Sequence, residues 1–208
     1  MRFKKGFLLL GCVLATTMAV AQNFEITPFI GGQLNGGLDI SNGFFNRIEV
    51  QNNANYGVSA GYLLGEHAGI EFMWNYNSAG TLAQFASGGS STKVFNLRTN
   101  QYLGNILYHL SDRETKMRPF VMFGLGGTNL SPDNGAKGIT RFAWTLGAGA
   151  KYNFNHRFGM RVQGKWSPSY ITTTDGGFWC DPFFGCWAVG NDHFLHEFDI
   201  TGGLTLRF

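Results

Sequence analysis

Eight charged residues sit at alternate positions of segments that are otherwise apolar or rich in glycine: Glu25, Glu71, Lys151, Arg161, Lys165, Glu197, Asp199 and Arg207. A charge sharing a face with interior residues needs a partner. Four acids and four bases so placed could form an ion path, a catalytic dyad or a salt-bridged plug. A second group is the pair Cys180 and Cys186 in the stretch GGFWCDPFFGCWAVGNDH. Two close cysteines in an exported chain predict a disulfide. The alternative is a metal site adding Asp181, Asp192, His193 or His196, but no standard zinc spacing is present. The same stretch carries Phe178, Trp179, Phe183, Phe184 and Trp187, a dense aromatic cluster that reads as a contact surface or as packing against neighbouring loops or the outer leaflet.

The elements that must position these groups read as strands. In the last segment, Phe194 to Phe208, the residues Phe198, Ile200, Gly202, Leu204 and Leu206 alternate with Glu197, Asp199, Thr201, Gly203, Thr205 and Arg207. A period of two means one apolar and one polar face. An apolar stripe that runs to a terminal Phe fits a strand whose apolar face meets lipid and whose polar face lines a barrel. The same parity gives seven more segments: Phe24 to Gln33, Tyr56 to Leu64, Ala68 to Tyr76, Phe95 to Leu110, Pro119 to Gly126, Phe142 to Phe154 and Phe158 to Ser167. In the fourth, Phe95 and Leu97 look out of phase, which predicts a bulge near Arg98 to Gln101 or strand outside the bilayer. Connections alternate between short (65–67, 111–118, 155–157) and long (34–54, 77–94, 127–141, 168–193). The expected fold is all-β: a closed, antiparallel, up-and-down transmembrane barrel of eight strands, with ten as the alternative count, short periplasmic turns and long extracellular loops. A soluble barrel would reverse the faces and leave Trp74, Tyr76, Trp144, Tyr152 and Trp166 unexplained; at segment ends they make aromatic girdles.

The other end of the chain agrees with export. Arg2, Lys4 and Lys5 precede the apolar stretch Phe7 to Val20 and the pattern Ala19-Val20-Ala21, which predicts a signal peptide over residues 1–21 and a mature domain over 22–208. A lipobox reading at Leu9-Leu10-Gly11-Cys12 leaves too short an apolar region. The signal removes three bases, so 16 − 3 = 13 bases balance 13 acids in the mature chain, and the basic balance does not argue for nucleic acid. After Ala21 no apolar run reaches the ~18–20 residues of a membrane helix. Only a closed barrel then satisfies the backbone in lipid.

With these motifs in view the chain resembles the small OmpA/OmpX-type outer-membrane barrels, a porin-family barrel domain. The stretches FEITPFIGG, YLGNILYHL, RPFVMFGLGG and GGLTLRF carry the resemblance across the mature chain. It implies a Gram-negative outer-membrane location, a monomer surrounded by lipid, and periplasmic chaperones and the barrel-assembly machinery as partners in biogenesis. It maps an assembly signal onto Leu204, Leu206 and Phe208, and an extracellular ligand or surface onto the loops. The peptidoglycan-binding domain of full-length OmpA proteins is not expected here. Lipid A deacylases use a His-x-Ser pair, matched literally by His109-Leu110-Ser111, but beside a short turn on the side away from outer-leaflet lipid. Asp192-His193 faintly resembles the acid–histidine pair of outer-membrane proteases. The expectation is therefore no catalytic set, no cofactor and no metal. The interior charges are read as a plug, since about eight strands leave room only for side chains. Arg207 is expected beside Glu25, and Lys165 within reach of Glu197 or Asp199. A narrow pore and a lipid-modifying enzyme are the alternatives.

Overall fold

Each long strand alternates an outward with an inward face, and within the membrane-spanning part the outward face is the apolar one that marks which side closes inward. The computed structural model describes residues 23–39, 45–85, 91–133, 138–171, 179–181, 185–187 and 193–208. The expected signal peptide, the lipobox alternative and Asp192 lie outside them. The strands are β1 (Phe24–Asn35), β2 (Gly37–Asp39), β3 (Phe45–Val50), β4 (Asn53–Leu63), β5 (Ala68–Phe85), β6 (Ser91–His109) and β7 (Met117–Pro132). They continue with β8 (Ile139–Asn153), β9 (Phe158–Trp166), β10 (Ser169–Ile171), β11 (Trp179–Asp181), β12 (Gly185–Trp187), β13 (His193–Leu195) and β14 (Glu197–Arg207).

Eight of these close a ring. Neighbours run β1, β4, β5, β6, β7, β8, β9, β14 and back to β1, all antiparallel. Closure leaves the long strands no unpaired edge, which is what lipid requires. Ile30, Ile70, Phe72, Ile106, Phe123, Leu146, Val162, Ile200 and Leu204 are exposed around the wall. So large an apolar surface is foreign to a soluble monomer and suits a bilayer. Phe29, Leu63, Met73, Leu103, Leu107, Phe120 and Met122 point inward and are buried.

Aromatic rings edge this wall at two heights. One band joins Trp144 to Trp166 with centroids 4.9 Å apart, Trp166 to Phe198 at 6.1 Å, and Tyr56 to Tyr76 at 5.2 Å. The other joins Tyr152 to Phe154 at 5.5 Å and Phe24 to Phe208 at 6.3 Å. On β8 the bands are 152 − 144 = 8 residues apart. At ~3.3 Å per residue and a tilt of about 40° that spans about 20 Å, close to the apolar band of an outer-membrane barrel.

The strands reach beyond the segments read from the sequence. Much of the described part of the long connections is paired strand. β5 and β6 stay paired beyond the girdle out to Gln84 and Ser91, β7 reaches Pro132, and β3 adds to the extended β5. Of the two readings of Phe95 and Leu97, the bulge near Arg98 to Gln101 is not found, and strand beyond the bilayer fits. Phe95, Leu97, Thr99 and Gln101 are all buried, on one continuous inward face. The register shift lies further out, between Thr81 and Leu82 opposite Phe95 and Lys93. Phe95 and Leu97 are apolar residues facing inward above the membrane, where inside no longer means polar.

Candidate functional site

The chemistry-bearing side chains gather in the barrel interior, in two polar storeys. The one nearer the short turns is built from facing walls. On one side the register lays Arg118, Lys151 and Arg161 side by side on β7, β8 and β9. On the other it lays Glu25 and Glu71 at one level on β1 and β5, with Gly61 of β4 between them. Lys151 reaches across to Glu25 Oε2, and Arg161 reaches Glu71 Oε2. A second bond joins Arg161 Nη2 to Glu71 Oε1 at 3.2 Å. β9 and β5 are four places apart in the ring of eight, so this pair is a strut across the full diameter. Arg207 Nε donates to Glu25 Oε1 at 2.8 Å, and Asn105 Nδ2 to Glu71 Oε1 at 3.2 Å. Arg161 and Lys151 also lie over the Phe120 ring, 4.6 and 5.9 Å from its centroid. Cations over an aromatic face are attracted by its quadrupole.

The storey nearer the hairpins contains fewer charges and more amides. Lys165 Nζ lies 2.7 Å from Asp199 Oδ2 and donates to Gln101 Oε1 at 2.6 Å. Glu197 accepts from Gln33 Nε2 at 2.8 Å and from Gln101 Nε2 at 2.6 Å. Asn55 donates to Asp199 Oδ1, and Asn75 to Gln101 Oε1 at 3.1 Å. Gln101 on β6 and Glu197 on β14 again lie on opposite sides of the ring.

An apolar belt separates the storeys: Phe29, Met73, Leu103 and Ala143 pack together. Along β5 the order inward is Glu71, Met73, Asn75; along β6 it is Asn105, Leu103, Gln101. Small residues make room for the rings. A Cβ on Gly57 would lie 2.7 Å from Phe29 Cζ, and one on Gly149 would lie 2.8 Å from Phe120 Cζ.

All eight charges singled out from the sequence therefore face the interior. Glu25 meets Arg207, and Lys165 meets Asp199; Glu197 is held by two amides instead. Arg118, just before the fifth segment, and the amides Gln33, Asn55, Asn75 and Gln101 are not among the candidates drawn from the sequence, although strand parity puts each in the inward phase of a charged or apolar interior neighbour. Leu204 and Phe208 are exposed on the outer wall and Leu206 is half-exposed there. The backbone pairs Cys180 directly with Cys186 across β11 and β12. His109 Nδ1 lies 3.2 Å from His67 O, and Ser111 Oγ donates to Met117 O at 3.2 Å. Both sit at the short-turn end, far from the hairpins. Among the described residues no His/Cys/Asp/Glu group could hold a metal ion.

Fold and interior together define a small, closed, eight-stranded transmembrane β-barrel with a side-chain-filled lumen. A family model described as outer membrane protein beta-barrel domain matches residues 7–178, and the chain belongs to that family. No curated protein matches its sequence. Among solved structures it is similar to the outer membrane protein OprG from Pseudomonas aeruginosa, at 10% identity and a TM-score of 0.61, covering 89% of this chain and 96% of that one. It is also similar to Neisserial surface protein A, at 13% identity and a TM-score of 0.53, covering 89% and 97%. At these identities the likeness is one of fold.

Proposed function

We propose that this protein is a non-enzymatic outer-membrane barrel, sealed inside, that serves as a rigid mount for surface hairpins acting in envelope stability or in contacts outside the cell. The observation that carries this is the Arg161–Glu71 strut, with Lys151–Glu25 beside it and an apolar belt above. A lumen crossed by charged pairs and sealed by packed apolar side chains offers no continuous wet path. Nor does the literal His109-Leu110-Ser111 match assemble near the hairpins, where outer-leaflet lipid would be met.

In this reading residues 1–21 direct export and are removed. Periplasmic chaperones and the barrel-assembly machinery recognise the outward stripe Leu204, Leu206 and Phe208, and the short turns remain in the periplasm. The extensions of β5, β6, β7 and β8 stand outside the cell, and the β11–β12 hairpin is closed by a Cys180–Cys186 disulfide. Directly opposed cysteines in an antiparallel pair have Cα separations within the range a disulfide spans. The finished barrel is a lipid-surrounded monomer.

Orientation and exposure can be read on intact cells with a membrane-impermeant thiol reagent. Single cysteines at Asp133, beside the β7–β8 hairpin, and at Lys116, in a short turn, are placed in a Cys180→Ser/Cys186→Ser background. Labelling at position 133 and not at 116 is expected. Labelling at 116 alone would reverse the orientation and remove the surface role.

A further inference from the structure

The short-turn end of the lumen holds more positive charge than its carboxylates neutralise. Of the three cations side by side on β7, β8 and β9, Lys151 and Arg161 are matched by Glu25 and Glu71. Arg118 is held only by neutral carbonyls: Nη2 donates to Glu66 O at 2.7 Å and Nε to Ser111 O at 3.5 Å. Its Nη1 has no partner although the residue is fully buried. Arg207 adds a fourth cation; its Nε is taken by Glu25, while its Nη2 has no partner either. Within the lumen four cations (Arg118, Lys151, Arg161, Arg207) face two carboxylates (Glu25, Glu71), 4 − 2 = +2, and the adjoining turns add one charge of each sign near Arg118, Glu66 and Arg113. Like charges on neighbouring strands repel. Arginine cannot relieve the excess by losing a proton, and an unmatched charge out of water is costly.

Both orphaned N–H groups are buried, and they lie just inside the mouth. The Arg118 guanidinium bonds to Glu66 and Ser111, which belong to the two turns 64–67 and 110–116, so it sits at the mouth rather than at mid-barrel. Arg207 retains 12% side-chain exposure at the same end. Arg118 lies beside Lys151 on the sheet, and Lys151 and Arg207 both hold Glu25, so the two guanidinium groups belong to one cluster.

We propose that this mouth binds a small oxyanion of the phosphate class, gripped by the free N–H groups of Arg118 and Arg207. A guanidinium presents parallel donors that match phosphate oxygens, and an anion there offsets the surplus charge. Inorganic phosphate and the headgroup of an anionic phospholipid offer the same chemistry.

The test is calorimetric titration of sodium phosphate into the full barrel, refolded in a phosphate-free glycoside detergent, against sodium chloride at matched ionic strength. The expected result is saturable binding of phosphate alone, weakened about tenfold or more in Arg118→Gln and unchanged in Lys116→Gln, an exposed cation of the same turn. If Arg118→Gln does not fold, shown by loss of heat-modifiable migration on gels, Arg207→Gln takes its place with the same expectation. A second arm adds phosphatidylglycerol or phosphatidylcholine and counts bound lipid by native mass spectrometry. Retention of phosphatidylglycerol that needs the arginine, without heat from inorganic phosphate, assigns the site to a headgroup. Equal binding by wild type and the arginine variant, or no arginine-dependent binding in either arm, overturns the proposal.

Discussion

Near the short turns, two carboxylates are held by three cations that reach them across or along the lumen. Near the hairpins only Asp199 meets a cation, Lys165; Glu197 is held by the amides of Gln33 and Gln101, while Asn55 donates to Asp199 and Asn75 to Gln101. Both arrangements link six of the eight strands and both cross the full diameter. They differ in what happens when one member is lost. Removing a partner from a buried ion pair strands a whole charge, whereas removing an amide strands a dipole. The lower storey should therefore be the brittle one and the upper the tolerant one.

The largest effect is expected from Arg161→Ala, which leaves Glu71 charged and buried. Urea unfolding in lipid vesicles should show a loss of about 3–5 kcal/mol. The double variant Glu71→Leu/Arg161→Met should recover most of it, because an apolar pair of similar volume replaces an ion pair at little cost. If the double variant is as unstable as the single one, packing and not charge holds this level. In the upper storey Gln101→Leu removes donors and acceptors from Lys165, Asn75 and Glu197, and a loss of about 1–3 kcal/mol is expected. A loss equal to that of Arg161→Ala would erase the distinction between the storeys. Between them, Gly57→Val drives a side chain toward the Phe29 ring and should cost about 1–3 kcal/mol by overpacking; a neutral result would mean that the apolar belt is loosely filled.

The smallest effect lies outside the lumen. Asp133 accepts from the Asn96 amide at 2.8 Å and from Asn96 Nδ2 at 2.6 Å. Its slight burial favours the neutral acid, but the Asn96 hydrogen bonds outweigh it and hold the carboxyl below the ordinary aspartate value. A lowered folded-state value means stability that is present above the unfolded value and lost as pH falls through the folded one. Amide chemical shifts should show the Asn96 hydrogen bond intact at neutral pH and released only in that acid range. Release well above the ordinary aspartate value would contradict the assignment.

Much of this was legible because lipid imposes a sharp contrast between the two faces of a strand. Where Ile70, Phe72 and Trp74 alternate with Glu71 and Met73, the parity is readable, and with it the inward charges. Beyond the girdle the contrast vanishes. From Asn77 to Gln84 the chain reads Asn-Ser-Ala-Gly-Thr-Leu-Ala-Gln, yet Asn77, Ala79, Thr81 and Ala83 are buried and the residues between them half-exposed. With water on the outside and small residues inside, neither face is marked, so a paired strand looks like a loop. Phe95 and Leu97 look out of phase for the same reason. Within the lumen, formal charges drew notice and amides did not, although Gln33 and Gln101 hold Glu197. The partner of each charge depends on register and on reach across the ring, so parity alone paired Glu25 with Arg207 on a neighbouring strand and missed Arg161 with Glu71 across the diameter.

The central claim is that the lumen is sealed by cross-barrel pairs and an apolar belt, and single-channel recording in planar bilayers tests it most directly. The protein, shown to be folded by heat-modifiable migration, should insert without any steady ion current across the usual range of voltage and salt. Reproducible conductance steps from the folded wild type would contradict the sealed interior and make this barrel a pore.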